Sequence, residues 1–175
     1  MAGGAVGTQE VDVLIVGAGI SGIGAAYHVK TMCPNRTFAV IEGRDQLGGT
    51  WDLFRYPGVR SDSDMHTLGY RFKPWTSRKA IADGPSILAY LRETVEEFDL
   101  ARHITYGVHV TRAEWSSAEG RWHVVALRNG NEVRYSCMYL FMCTGYYRYS
   151  KGFEAEIPGL SSFSGTVVHP QFWPK

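Results

Sequence analysis

No stretch of this sequence approaches the roughly 20 consecutive apolar residues that a membrane-spanning helix requires. The first ten residues have neither a cationic start nor an apolar core, so no secretory leader is expected either. Long runs of one charge are missing as well. With a formal net charge of +1 and no basic block, neither nucleic acid nor a polybasic membrane anchor is expected, and small molecules are the expected partners. Cysteine is scarce: Cys33, Cys137 and Cys143 are odd in number and lack CxxC spacing. That argues against a disulfide framework or a cysteine zinc site and suits a reducing cytoplasm, with all three read as buried thiols. No internal repeat or low-complexity tract is found.

What is present is the balance of a folded protein. Apolar residues make up 45% and charged residues 20% of 175, which is enough to bury one core, and the length favours a single domain. Residues 11–16 are a short apolar run ending at Gly17, the pattern of a buried parallel strand. Residues 20–32 tolerate a helix, which Pro34 ends, and residues 37–42 form a second apolar run close enough behind it for a right-handed βαβ crossover. Residues 43–84, which hold Gly48, Gly49, Pro57, Gly58, Gly69 and Pro74, are too long for an ordinary connection and are expected to be functional.

Asp83 is placed to cap a helix carrying Ile87, Leu88, Leu91, Val95 and Phe98 on one face. Residues 107–115, 121–128 and 132–137 then read as an antiparallel meander, its last two strands joined by Asn129-Gly130, a type I′ hairpin signal. A separate run over residues 139–143 reads as one more central parallel strand.

The sharpest chemical motif is Gly17-Ala18-Gly19-Ile20-Ser21-Gly22, between the first strand and the first helix, with Ala26 at the next small position. Gly17 permits the tight turn, Gly19 lets a pyrophosphate approach the backbone, and Gly22 lets helix and strand pack closely. Glu42, twenty residues beyond Gly22, ends the second strand where a carboxylate accepts from both hydroxyls of an adenosine ribose and repels a 2′-phosphate. The unit therefore predicts FAD or NAD rather than NADP, and Arg44 nearby does not reverse this. The bland alternative is a glycine turn beside a solvated Glu42.

Two later segments carry a family resemblance. After Glu42 come Gly48-Gly49-Thr50-Trp51-Asp52-Leu53 and Arg55-Tyr56-Pro57-Gly58-Val59-Arg60-Ser61-Asp62, and near the end Phe163, Gly165, His169, Trp173 and Pro174 fit the pattern FxGxxxHxxxWP. These resemble the class B flavin monooxygenases, the Baeyer-Villiger monooxygenases more than the flavin-containing monooxygenases. Phe72-Lys73-Pro74-Trp75 and Cys143-Thr144-Gly145-Tyr146-Tyr147 resemble an actinobacterial branch of that group. The resemblance covers the chain beyond its first ten residues.

The resemblance implies an α/β fold: a Rossmann-like FAD-binding domain with a parallel central sheet and an antiparallel β-meander. It implies a flexible N-terminus over residues 1–10, the FAD-binding domain over 11–150, and over 151–175 a linker with the Baeyer-Villiger signature leading to an NADP-binding domain. FAD, NADPH and O2 would convert a ketone to an ester, with thioethers and thioamides as alternative substrates. Ser21 is implied near the pyrophosphate, Glu42 on the ribose, and Thr50, Trp51, Asp52 and Leu53 along the flavin. The backbone of Val110 is implied at the adenine, with core packing the alternative for its side chain.

Asp62 matches a carboxylate that orients a catalytic arginine and shares in NADP contacts; capping the turn after Ser61 is its structural alternative. Arg60 and Ser61 are weaker candidates for NADP. His169 and Trp173 are implied to govern closure between domains. His28, His66, His103, His109 and His123 are given no role, and Tyr146, Tyr147 and Tyr149 are read as packing at a domain junction.

The sequence ends at Lys175, directly after the signature. The second GxGxxG, the catalytic arginine and the substrate pocket of the family would lie beyond it, so the chain by itself is not expected to turn over. Two alternatives stay open. One is a flavin monooxygenase acting on sulfur or nitrogen. The other is a non-catalytic truncated product that binds FAD weakly or misfolds through bare surface. A cytoplasmic location, free or peripheral at a membrane, is expected; oligomeric state and physiological substrate are not legible.

Overall fold

The computed structural model describes residues 7–174; Lys175 and residues 1–6, the larger part of the tail expected to be flexible, lie outside the described residues. Strand β1 (Thr8–Val16) begins three residues before the apolar run. Thr8, Gln9 and Glu10, expected in the flexible tail, instead pair with Arg134, Tyr135 and Ser136. Their side chains are exposed, so only their backbone takes part in the sheet, and hydrophobicity marked just the buried part of the strand.

Helix α1 (Ile20–Met32) follows, and buries Gly22, Ile23, Ala26 and Val29. Strand β2 (Phe38–Ile41) lies parallel to β1, completing the βαβ unit. Residues 43–83 hold two single-turn helices, α2 (Thr50–Leu53) and α3 (Met65–Leu68). Helix α4 (Gly84–Glu97) and a two-residue edge strand β3 (Ile104–Thr105), parallel to β2, come next. No alternation can announce so short a strand.

Strands β4 (Val108–Ser116), β5 (Arg121–Arg128) and β6 (Asn131–Met142) form the meander. Asn129 and Gly130 both have positive φ, 51° and 78°, as the type I′ turn requires. The two runs expected as separate strands at 132–137 and 139–143 are one continuous β6. Its first half pairs antiparallel with β5, as Cys137 opposite Trp122 does. From Arg134 opposite Thr8 to Met142 opposite Val16 it pairs parallel with β1. One strand thus joins the meander to the parallel sheet, in the order β3-β2-β1-β6-β5-β4.

Alternation along β1 and β2 sends side chains to two cores. Ile15 and Val40 face a cluster with Ile23, Val29, Ile87 and Leu91 of α1 and α4. Leu14, Val16, Ala39 and Ile41 face a cluster with Val108, Val124, Ala126 and Tyr135 of the meander. The cysteines do not share one environment: Cys137 is buried, Cys143 half-buried and Cys33 exposed. Cys33 caps the end of α1, where the chain leaves the core.

Asp83 caps α4 as its sequence position predicts, accepting from the Ser86 amide at 2.9 Å. Hydrogen bonds from Ser86, then the Lys79 ammonium, hold its carboxyl well below the ordinary carboxylate range. A carboxyl depressed on folding stabilises the fold above its unfolded value of about 3.9, and that contribution fades as pH falls toward the folded value. Asp83→Ala is expected to cost about 1 kcal/mol at neutral pH. Asp83→Asn, which still accepts from an amide, should cost less and flatten the acid limb of a pH series of urea melts.

Candidate functional site

The carboxyl ends of β1, β2 and β6 meet at one edge of the sheet, where β1 has a neighbour on each side and connections leave in opposite directions. That is the position at which open α/β sheets bind ligands. A cleft of about 780 Å³ opens there, lined by Gly17, Gly19, Glu42, Gly49, Val110 and Thr144 among others. Its size is that of a small-molecule or cofactor site, roughly 300–1,000 Å³.

The glycine turn floors it. Gly17 has φ +109°, and its amide donates to Ile41 O at 2.7 Å, tying the turn to the end of β2. A Cβ on Gly22 would overlap the Gly17 carbonyl oxygen. Gly19 is the N-cap of α1 and offers no side-chain cap, and the first turn of the helix carries no acidic residue. The amides at this helix start are left to an external acceptor, with the positive end of the helix dipole behind them. Gly49 faces the turn from the other wall, where a Cβ would stand 3.2 Å from Gly19 Cα. The two bare backbones thus pack against each other where they line the cleft, and Ser21 stands exposed at its rim.

Glu42 is buried rather than solvated. Its Oε2 accepts from the Ala18 amide at 2.7 Å and its Oε1 from the Arg44 amide at 2.9 Å. The carboxylate therefore staples the glycine turn to the turn after β2. Each oxygen keeps a lone pair for a further donor in the cleft it lines. Strand β4 is delivered to the same end, because Val108 N donates to Glu42 O and Gly107 N to Arg44 O, both at 2.9 Å. Val110, half-buried at a β-bulge, lines the cleft beside it.

Residues 50–53 do not act as one surface. Thr50 and Trp51 line the cleft, but Asp52 and Leu53 do not, since α2 turns each successive side chain by about 100°. The Asp52 carboxylate is buried and pairs with Arg44 at 2.6 Å and Arg55 at 3.0 Å. Asp52 thus holds Arg44, which lines the cleft.

The segment 60–62 lies off the cleft lining. Ser61, a candidate for NADP contact, is turned inward: its amide donates to Ala82 O at 2.8 Å and its Oγ accepts from Ala82 N at 3.1 Å. Arg60 and Asp62 on either side are exposed. The Asp62 charge reaches Tyr147, whose phenol is pushed up to about 12, first by its hydrogen bond with Tyr146, then by burial, and last by Asp62. Tyr146, Tyr147 and Tyr149, expected only as packing, line the cleft, and so does His109, which was given no role. Nothing in their spacing announces this, because a turn rather than a periodic element places them.

His169 begins a short 3-10 turn, Pro170–Phe172. Its Nδ1 accepts from the Gln171 amide at 3.1 Å, so the Nε2–H donates to Phe153 O at 3.1 Å. A Cβ on Gly152 would stand 2.5 Å from the ring, so the imidazole needs that glycine. The signature thus clasps the segment after β6; Trp173 is exposed.

A model of NAD(P)-binding Rossmann-like domains matches residues 15–78, and one of flavin-binding monooxygenase-like proteins matches residues 80–174, more than half of the chain. The chain belongs to the flavin-binding monooxygenase-like family. Within this family it is 50% identical over 168 residues to the FAD-containing monooxygenase EthA of Mycobacterium tuberculosis (strain ATCC 25618 / H37Rv), covering 96% of this chain and 34% of that protein. It is 53% identical over 169 residues to the putative FAD-containing monooxygenase MymA of the same strain, covering 95% and 34%.

Among solved structures, cyclohexanone monooxygenase in its open form matches with TM-score 0.79 and 32% identity, over 95% of this chain and 32% of that one. An oxidised steroid monooxygenase bound to NADP matches with TM-score 0.77 and 32% identity over the same shares. The chain spans about a third of the length of these flavin monooxygenases.

Proposed function

We propose that residues 11–150 bind FAD and that the chain is the FAD-binding part of an NADPH- and O2-dependent Baeyer-Villiger monooxygenase, converting a ketone to an ester and also oxygenating thioethers or thioamides. The observation that carries this reading is the buried Glu42 carboxylate at the head of a glycine turn, in a cleft whose floor is bare backbone. The fit is sound: uncapped amides for a pyrophosphate, an anchored acid for ribose hydroxyls, and Val110 beyond it for the adenine.

When bound, FAD supplies the redox and oxygen chemistry. In this reading the start of α1, with Ser21, neutralises and orients the pyrophosphate. Glu42 holds the ribose and repels a 2′-phosphate. Thr50 and Trp51 flank the opposite, flavin end, and half-buried Tyr147, its phenol held protonated at neutral pH, excludes water there. Exposed Asp62 and Arg60 meet the second domain, where Asp62 orients its arginine and shares in NADP contacts. Residues 151–175 are the linker to that domain, and His169 and Trp173 set its closure. The location proposed is the cytoplasm, free or peripheral at a membrane; among the described residues no helix is long and apolar enough to cross one.

The 175-residue chain loaded with FAD is expected to oxidise no NADPH and convert no ketone. Sustained NADPH consumption coupled to ester formation would overturn the proposed dependence on a second domain. The truncated-product reading draws on one feature: beyond Cys137, β6 has no β5 partner, and Met138, Tyr139, Phe141 and Met142 are exposed. Cooperative unfolding of a yellow monomer counts against it.

A further inference from the structure

The segment that follows β6, residues 144–150, borders the cleft and supplies Thr144, Tyr147, Arg148 and Tyr149 to its lining. It has no regular secondary structure, so its position depends on what grips it. Beneath, the Arg44 guanidinium sits 5.5 Å from the centre of the Tyr149 ring, and Arg44 is itself fixed by buried Asp52. From outside, Gln171 is buried among exposed neighbours, and its side-chain amide donates to Arg148 O at 2.8 Å and to Tyr149 O at 3.2 Å. Both donors of one amide are thus spent on consecutive carbonyls of this cleft-lining segment. The Gln171 backbone is held in turn by His169 Nδ1, which sits on Gly152.

We propose that Gln171 is a positioning residue for the cofactor: it straps residues 148–149 beside the cleft, and so sets how fast a bound dinucleotide leaves rather than how fast it enters. Gln171 occupies a position that the FxGxxxHxxxWP pattern leaves free. This inference rests on the proposed binding of FAD. Two hydrogen bonds of ordinary net strength, lost together, correspond to about a tenfold change in an equilibrium or rate.

The test replaces Gln171 by Leu, similar in size but without donors, in the full 175-residue chain, and measures FAD association and dissociation separately by flavin fluorescence. The expected result for Gln171→Leu is about a tenfold faster release with association within twofold of the parent. Release at the parent rate from a folded variant overturns the proposal. Gly152→Ala, which displaces His169 and with it Gln171, guards against a variant that fails to fold; it is expected to show the same fast release. Tryptic cleavage after Arg148 and Lys151 in the FAD-free chain gives a readout independent of the cofactor. Cleavage there should quicken about tenfold in Gln171→Leu while the melting curve of the whole chain stays cooperative. Parent-like cleavage overturns the strap, and a parent chain that takes up no FAD overturns the functional reading instead.

Discussion

Replacing Gly22 by alanine is expected to destabilise the chain by about 3 kcal/mol or more and to abolish FAD uptake. The Cβ would overlap the Gly17 carbonyl oxygen, a backbone atom with nowhere to retreat. Gly17 is pinned by its amide hydrogen bond to Ile41 O and by its positive φ, and the Cys143 carbonyl occupies the space a Cβ on Gly17 would need. Relief requires α1 to move off β1, which opens the core at Ile23 and moves the helix amides away from the cleft. Serine or valine at position 22 should be worse, since the overlap begins at Cβ. Chemical denaturation gives the stability, and visible absorbance after reconstitution with excess FAD gives the binding. A Gly22→Ala chain that melts with the parent and turns yellow would show that the turn is not packed as described.

The second large effect is expected at Glu42. Glu42→Ala removes the shared acceptor for the Ala18 and Arg44 amides, leaving two donors short of a partner. Orphaned buried donors cost about 1–3 kcal/mol each, but this pair borders an open cleft that water can enter, so about 2 kcal/mol in total is expected. FAD affinity should fall further, about 100-fold, because the ribose loses charge-assisted hydrogen bonds as well. Glu42→Gln separates the two effects: its amide oxygen still satisfies one donor, so stability should recover in part while affinity stays well below that of the parent. Isothermal titration beside urea melts resolves the pair. Equal affinity in the parent and both variants would leave Glu42 a purely structural staple.

Much of this site was legible in the sequence because its parts are tied to periodic elements. The Gly17–Gly22 motif, Glu42 at a strand end, the Asp83 cap and the Asn129-Gly130 turn each combine a residue type with a backbone demand that few others satisfy. Where the structure departs from the sequence pattern, the cause lies in tertiary contacts rather than periodicity. Residues 132–143 read as two runs because beyond Cys137 β6 loses its β5 neighbour while keeping β1, and burial changes there. Asp52 and Leu53 leave the face of Thr50 and Trp51 through the rotation of a helical turn, which a linear motif does not reveal. The inward turn of Ser61 toward Ala82, 21 residues away across a loop, has no signature in the spacing. Gln171 and Tyr149 carried no signal at all, since a side-chain amide reaching a distant carbonyl leaves no spacing to read.

The central claim is that the cleft lined by Gly19 and Gly49 holds FAD with its adenosine end at Glu42. A fluorescence titration of the cofactor-free 175-residue chain with FAD, repeated with Glu42→Ala, tests it most directly. The account predicts saturable one-to-one binding that weakens about 100-fold in the variant. Absence of saturable binding by the parent, or binding that Glu42→Ala leaves unchanged, would contradict it.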